Sequence, residues 1–347
     1  MNTLYLQPET DDTAIARAAE LLRDGEIVGI PTETVYGLAA NALNPDAVRK
    51  IFTAKGRPQD NPLIVHIADA AQIADIAAEV PESARKLAQA FWPGPLTIIL
   101  PKQEIIPSVT SGGLSTVGIR LPAHPLARAI IRAAGVPLAA PSANLSGRPS
   151  TTTAQHVLED LSGRIAAVVE GGACSVGVES TVVSLCGAVP RLLRPGGISL
   201  EQLRSVLGEV EVDRALYEKI DDTETVSAPG MKYRHYAPEA PVTVILGAPE
   251  QTADYIAAHS GSTTGVLCFD DYASRFSHCG AVLTFGASQD VPEQAREVFD
   301  ALRRFDKTKC TEILAQCPPT DGIGLAVSNR ILKSSGFHII DLREGNT

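Results

Sequence analysis

Several common signposts of function are missing from this sequence. Its six cysteines are scattered, with no CxxC pair and no Cys/His spacing suited to zinc, so neither a disulfide framework nor a metal ribbon is expected. Aromatic residues make up only 5% of the chain, which argues against recognition of nucleic acid by base stacking. No apolar run approaches the ~18 residues of a membrane span. The first residues, MNTLYLQPETDD, lack the basic-then-apolar order of a secretory signal. A cytoplasmic protein without a membrane partner is therefore expected. Positive charge is also in deficit: 30 lysines and arginines face 40 acids, for a formal net charge of -10. Such a chain does not coat nucleic acid indiscriminately, because that needs a broad basic surface. No Gly-Lys dipeptide occurs, which excludes a Walker A loop, and there is no H-E-x-x-H or G-x-S-x-G. Gly322-Ile323-Gly324 has Val327 where a dinucleotide fingerprint needs its third glycine, and reads as helix–loop packing.

What remains is ordinary core-forming material, 347 residues long with 44% hydrophobic content, enough for about two domains. Residues 1–208 alternate helices and strands. Asp11-Asp12-Thr13 is expected to cap a first helix, and Ile27 to Ile30 to form a buried strand. Further strands are expected at Leu63–Ile67, Leu96–Leu100, Val136–Ala140, Ala166–Val169 and Thr181–Leu185. In STVGIRLP, Thr116, Gly118 and Arg120 share one strand face and Val117, Ile119 and Leu121 the other. Residues 209–239 shift to linker composition, with DDTETVSAPG followed by MKYRHYAPEA. Residues 240–347 again alternate short strands and helices, a smaller α/β domain of Rossmann-like pattern.

The richest stretch runs from Pro31 to His66. Asn44-Pro45 starts a helix, Val48, Ile51 and Phe52 form its apolar face, and Gly56 stops it. Pro58 then holds Arg57 extended, so Lys55 and Arg57 come side by side at a helix-to-strand corner. Asn61-Pro62 leads into a strand with His66 on the face opposite Leu63, Val65 and Ile67. Singly, Lys55 could offset a helix dipole, Arg57 could be a solvated loop residue and His66 a core histidine. Small hydroxyl and amide groups in PSANLSGRPS, and glycines in GGACSVGVES and LLRPGGIS, add further polar clusters that suit close approach to an anion or simply make turns. Lys55, Arg57, His66, Arg120, Ser142, Asn144, Ser180 and Arg194 together form a binding set without an evident covalent nucleophile. Such a set suits a reaction run by positioning and charge stabilisation, as phosphoryl and nucleotidyl transfers largely are.

PTETVYGLAANA, KGRPQDNPLIVH, FWPGPLT, STVGIRLP, PSANLSG, GVESTVV and LRPGGI, taken together, resemble the YrdC-type domain of threonylcarbamoyl-AMP synthases, in order and across nearly all of residues 1–208. KYRHYAP and GIGLAVSNRILKSS resemble the linker and C-terminal domain of the two-domain form. The resemblance implies a YrdC-like twisted α/β sheet around a deep basic cavity, and synthesis of threonylcarbamoyl-AMP and pyrophosphate from L-threonine, bicarbonate and ATP. The product would pass to a tRNA threonylcarbamoyl transferase acting beside the anticodon, with double-stranded RNA binding, as weak contact with tRNA, a further implication. By position, Thr34, His66, Arg120, Ala140 and Ser180 would hold threonine, Arg120 gripping its carboxylate bidentately. Arg57, Asn61, Thr116, Ser142, Asn144, Ser150, Arg194 and Arg234 would hold ATP, with Lys55 and Arg57 catalytic and Mg2+ carried mainly on the phosphates. The linker would fold over the site. Two other readings compete: a non-enzymatic RNA-binding module, and a carbamoyl-adenylating enzyme with another acceptor.

Overall fold

The computed structural model describes residues 2–217 and 236–343. Eleven strands form the first sheet: β1 (Leu4–Leu6), β2 (Val28–Ile30), β3 (Gly37–Asn41), β4 (Ile64–His66), β5 (Leu96–Pro101), β6 (Thr116–Arg120), β7 (Leu138–Ala139), β8 (Ala167–Val169), β9 (Thr181–Ser184), β10 (Arg191–Arg194) and β11 (Glu211–Val212). Their spatial order is β1-β8-β2-β3-β7-β4-β6-β5-β9-β10-β11, with parallel and antiparallel pairs mixed. Connecting them are α1 (Ala14–Arg23), α2 (Pro45–Lys55), α3 (Ile73–Ile76), α4 (Glu82–Phe91), α5 (Pro125–Ala134), α6 (Ala154–Leu161) and α7 (Leu200–Leu207).

Helix α2 forms as its sequence dictates. The Asn44 side chain accepts from the amides of Asp46 and Ala47, Pro45 opens the first turn, and Gly56 closes the helix with φ of 62°. Val48, Ile51 and Phe52 are buried in the main core. The start of α1 departs from expectation. Thr13 flanks the helix but makes no side-chain cap; instead the Asp11 carboxylate accepts from its amide and hydroxyl, so the acid organises the turn before the helix. Strand β7 covers only two of the five residues read as strand, because Pro137 has no amide to place in a ladder.

The central ladder sets the site. Strand β4 pairs with β6 in parallel, with His66 opposite Arg120, and β6 pairs with β5 antiparallel, with Arg120 opposite Thr97. Directly opposed residues project to one face, so His66, Arg120 and Thr97 stand together there. Val65 and Ile119 point the other way into the core. The sheet continues past Gly208, where the sequence pattern closes the first unit: β11 adds to β10 in parallel. Two residues are too few for an alternation to show.

The second sheet is wholly parallel, with β12 (Val242–Leu246), β13 (Thr264–Cys268), β14 (Ala281–Thr284), β15 (Glu312–Gln316) and β16 (Ile339–Asp341) ordered β14-β13-β15-β12-β16. Its helices are α8 (Pro249–His259), α9 (Val291–Phe305) and α10 (Gly324–Ser334). The two units share cores. Val35 and Val178 of the first join Val298, Phe299, Leu302 and Ile331 of the second, and Leu325 packs in the first unit's core. At Gly177, with φ of 81°, a Cβ would lie 2.3 Å from the Ala295 carbonyl oxygen, so a side chain would force α9 away from the first unit.

Candidate active site

A cleft of about 730 Å³ opens above this ladder. Ten of the residues expected from sequence line it: Thr34, Lys55, Arg57, His66, Arg120, Ala140, Ser142, Asn144, Ser180 and Arg194. Asn61, Thr116 and Ser150 do not stand on its wall. Asn61 is buried with its Oδ1 unpartnered. Thr116 lies at the far end of the face that carries Arg120 and is half-buried. Ser150 is wholly buried and donates its hydroxyl to Glu179 Oε1 at 2.6 Å. Arg234, and with it most of the 209–239 linker expected to fold over the site, lies outside the described residues, although Tyr236 from the linker's end is on the cleft wall.

The corner of Lys55 and Arg57 is internal rather than exposed. Lys55, at the end of α2, is buried and its Nζ donates to the carbonyl oxygens of Ser142 and Asn144. The Ser146 amide returns a bond to the Lys55 carbonyl, so the PSANLSG segment folds onto the helix end and covers it. Burial, reinforced by the Arg57 charge, holds the lysine well below its ordinary pKa. Arg57 is half-buried and donates to the Pro62 carbonyl at 3.3 Å.

Arg120 is already engaged. Its Nη2 pairs with Glu33 at 2.7 Å and its Nε reaches the Gly94 carbonyl at 3.4 Å, both arginine and acid being buried. Burial alone would raise the Glu33 pKa, but Arg120 overcomes it and holds the carboxyl below its usual range. Part of the guanidinium that the sequence assigns to a ligand carboxylate is thus bonded within the protein, to Glu33 and Gly94.

Opposite, Arg194 donates through Nε to the Ser180 carbonyl and through Nη2 to the Ser180 hydroxyl, both at 3.1 Å. The same hydroxyl lies 2.8 Å from Thr97 Oγ1. This junction depends on Gly196. A Cβ there would meet the Thr181 amide nitrogen at 2.2 Å and the Glu179 carbonyl oxygen at 2.3 Å, so only glycine lets LRPGGI pass under GVESTVV.

Burial, then the Arg120 charge, pushes the His66 pKa down to about 3. The imidazole is therefore a neutral hydrogen-bonding group. Its folded-state pKa lies below the ordinary 6.5, so the unfolded chain binds more protons between those values and stability falls as pH drops from about 6.5. We expect His66→Gln to remove up to one proton from this dependence. In urea titrations between pH 6 and pH 4, the variant should lose about 1.4 kcal/mol less per pH unit than the parent. Parallel profiles would show that His66 protonates freely when folded.

Two acids at the site are not singled out by sequence, although both sit inside the motifs: Glu179 of GVESTVV is on the cleft wall, and Glu33 of PTETVYG is buried behind it against Arg120. An acid is an unpromising element for an anion site until its pairing is seen. Glu33 pairs with Arg120, and Glu179 pairs with Arg330 of α10 at 2.6 Å. With Glu33 compensated by Arg120 and Glu179 by Arg330, Arg57, Arg194 and the more exposed Arg148 leave the wall a surplus of positive charge. Hydroxyls and amides fill the space between them. The arrangement can hold a polyanion beside a small zwitterion and stabilise charge that develops between the two.

The fold and the cleft define a two-domain α/β class, in which the first domain carries a basic cleft and the second braces it. Residues 20–196 match the Sua5/YciO/YrdC family model, described as telomere recombination, and residues 198–336 match that of the threonylcarbamoyl-AMP synthase C-terminal domain. The chain belongs to the threonylcarbamoyl-AMP synthase family, as its motifs lead one to expect. It is 50% identical to the threonylcarbamoyl-AMP synthase of Bacillus subtilis, over 95% of each chain. The solved structure of Pyrococcus abyssi Sua5 complexed with L-threonine superimposes with a TM-score of 0.89 at 45% identity, covering 99% of this chain and 100% of that one. Escherichia coli YciO shares the fold over 56% of this chain and 96% of its own, with a TM-score of 0.50 at 24% identity.

Proposed function

We propose that this enzyme converts L-threonine, bicarbonate and ATP to threonylcarbamoyl-AMP and pyrophosphate. The observation that carries this reading is the convergence of ten expected residues on one cleft with surplus positive charge. The threonine amine takes up the one-carbon unit of bicarbonate with loss of water, giving an N-carboxylate. An oxygen of that carboxylate bonds to the α-phosphorus as the bond to the bridging oxygen breaks, and the electron pair leaves on pyrophosphate. On this reading Thr34, His66, Arg120, Ala140 and Ser180 hold threonine. Arg57, Ser142, Asn144 and Arg194 face the ATP phosphates, and Lys55 holds the Ser142–Asn144 backbone against them. Asn61, Thr116 and Ser150 belong to the ATP side at one remove, and the expectation that Arg234 holds ATP falls outside the described residues.

Among the described residues no three His, Cys, Asp or Glu side chains gather as a metal site. Glu179 on the wall and Glu33 behind it are each held by an arginine. These residues do not fit a protein-held Mg2+, and on this reading the ion arrives on the ATP phosphates, where magnesium ordinarily keeps its waters. The product would be consumed by a tRNA threonylcarbamoyl transferase in the cytoplasm, with direct contact to tRNA weak, given the net charge of -10. Among the described residues no helix is long and apolar enough to cross a membrane.

Pyrophosphate release should require threonine and bicarbonate together, with the adenylate detected by mass spectrometry. Serine should be about fourfold poorer in kcat/KM, because a pocket that buries the threonine methyl loses ~0.8 kcal/mol of apolar contact without it. Equal release with threonine omitted would sink this reading.

A further inference from the structure

The geometry points to Arg330 of the second domain as a positioning residue for the anion side of the cleft: it neutralises Glu179 and so keeps that wall receptive to phosphate. This rests on the reading of the cleft as an ATP site. Arg330 is completely buried, yet it belongs to α10 and not to the domain that binds substrate. Its guanidinium is used on every side. Nε donates to Glu179 Oε2 at 2.6 Å, Nη2 to the Pro195 carbonyl at 2.9 Å, and Nη1 to Asn329 Oδ1 at 2.9 Å. Asn329 in turn donates to the Leu216 carbonyl at 2.9 Å, and the Tyr236 ring lies 5.5 Å from the guanidinium carbon.

Glu179 lies on the cleft wall between Ser150 and Ser180. Its other oxygen accepts from Ser150, and its chain neighbour Ser180 accepts from Arg194. A carboxylate in that place works against a polyanion in two ways. It repels the phosphates directly, and it draws on the field of Arg194 that would otherwise act on them. Burial favours its neutral form, but Arg330 and then Arg194 bring its pKa down to about 2, so the carboxylate is charged. Arg330 supplies the compensating charge from behind the wall, and its bond to Pro195 fixes the backbone beside Arg194. The catalytic wall is thus electrostatically complete only with the second domain docked.

A role as inter-domain glue alone makes different forecasts. Glue lost would loosen the whole cleft and weaken threonine and ATP alike, and removing the Glu179 charge as well would not help. A charge role singles out ATP and is relieved when the uncompensated carboxylate is removed. The test measures binding of a non-hydrolysable ATP analogue and of threonine to the full chain by calorimetry, for Arg330→Met, Glu179→Gln and the double variant. Methionine keeps the length of the stem, and the glutamine oxygen still accepts from Ser150. We expect Arg330→Met to weaken the analogue by about tenfold or more, with threonine within about twofold, and the double variant to recover to within about threefold of the parent. Equal loss of both ligands, an unchanged analogue affinity, or a double variant no better than Arg330→Met would overturn the proposal. Should Arg330→Met fail to fold, Arg330→Lys decides. It keeps the charge but not the fork, so near-parental analogue binding is expected, and tenfold loss would overturn the charge role. A parent chain that does not bind the analogue would instead refute the ATP reading itself.

Discussion

Replacing Lys55 by alanine should lower kcat/KM by roughly 10²–10³ and also weaken the fold by about 2 kcal/mol. The two effects have one origin. Nζ is buried and donates to the carbonyl oxygens of Ser142 and Asn144, so its loss leaves two acceptors without their donor. Each orphaned carbonyl costs up to ~1–3 kcal/mol, reduced where water fills the space. The desolvation cost of the lysine is relieved in return, and that keeps the sum modest. The catalytic loss follows because Ser142 and Asn144 lie on the cleft wall, which on the proposed reading faces the phosphates, and their backbone is then free to shift. Arg57→Ala should lower turnover similarly while sparing the fold, since the residue is only half-buried and its bond to the Pro62 carbonyl is long, at 3.3 Å. Steady-state pyrophosphate release and urea unfolding check both variants. Near-parental turnover in Lys55→Ala would make the lysine a structural strut alone.

The contrast between these two cations shows what the sequence made legible. Local signals carried α2 completely: Asn44 and Pro45 to start it, Gly56 to end it, and a three-residue apolar face. Alternation along β6 placed Thr116, Gly118 and Arg120 on one face, and the register added His66 and Thr97. Depth was not legible. A strand pattern says which face a side chain takes but not how far along that face the cleft extends, so Thr116 stands off the wall. Ser150 and Asn61 lie behind it for a related reason, since a loop's composition says that it can approach an anion and not which of its hydroxyls does. Long-range pairing was hidden altogether. Glu179 and Arg330 are 151 residues apart, and neither looks like a partner of the other until α10 is docked. The same holds for Val35 and Val178, whose place in the second domain's core has no counterpart in local periodicity.

Arg303→Met should destabilise the chain by about 3 kcal/mol, the low end of the range for breaking a buried ion pair. Arg303, on α9, is buried and pairs through Nη2 with Asp160 Oδ1 at 2.7 Å, and Asp160 itself has no exposed side-chain surface. It also donates to the carbonyls of Pro149 at 2.7 Å and His156 at 3.2 Å. Losing it therefore takes the buried charge partner from Asp160 and leaves two backbone acceptors without their donor at the domain boundary. The low end applies because Asp160 keeps two other partners, the Leu145 amide at 3.0 Å and the more exposed Arg148 at 3.1 Å. Those bonds also direct the rescue. Asp160→Leu would orphan the Leu145 amide, whereas Asp160→Asn removes the charge and leaves an oxygen to accept from it. The double variant Arg303→Met with Asp160→Asn should regain about half of the lost stability. Pro149 immediately precedes Ser150, which bonds Glu179, so the single variant should also weaken ATP binding, though less than Arg330→Met does. Urea unfolding together with calorimetric binding of the ATP analogue reads both effects. If stability fell by less than about 1 kcal/mol, the bracing of the catalytic domain would rest on the shared apolar core around Val35 and Val178, and the arginines of α9 and α10 would act on the cleft alone.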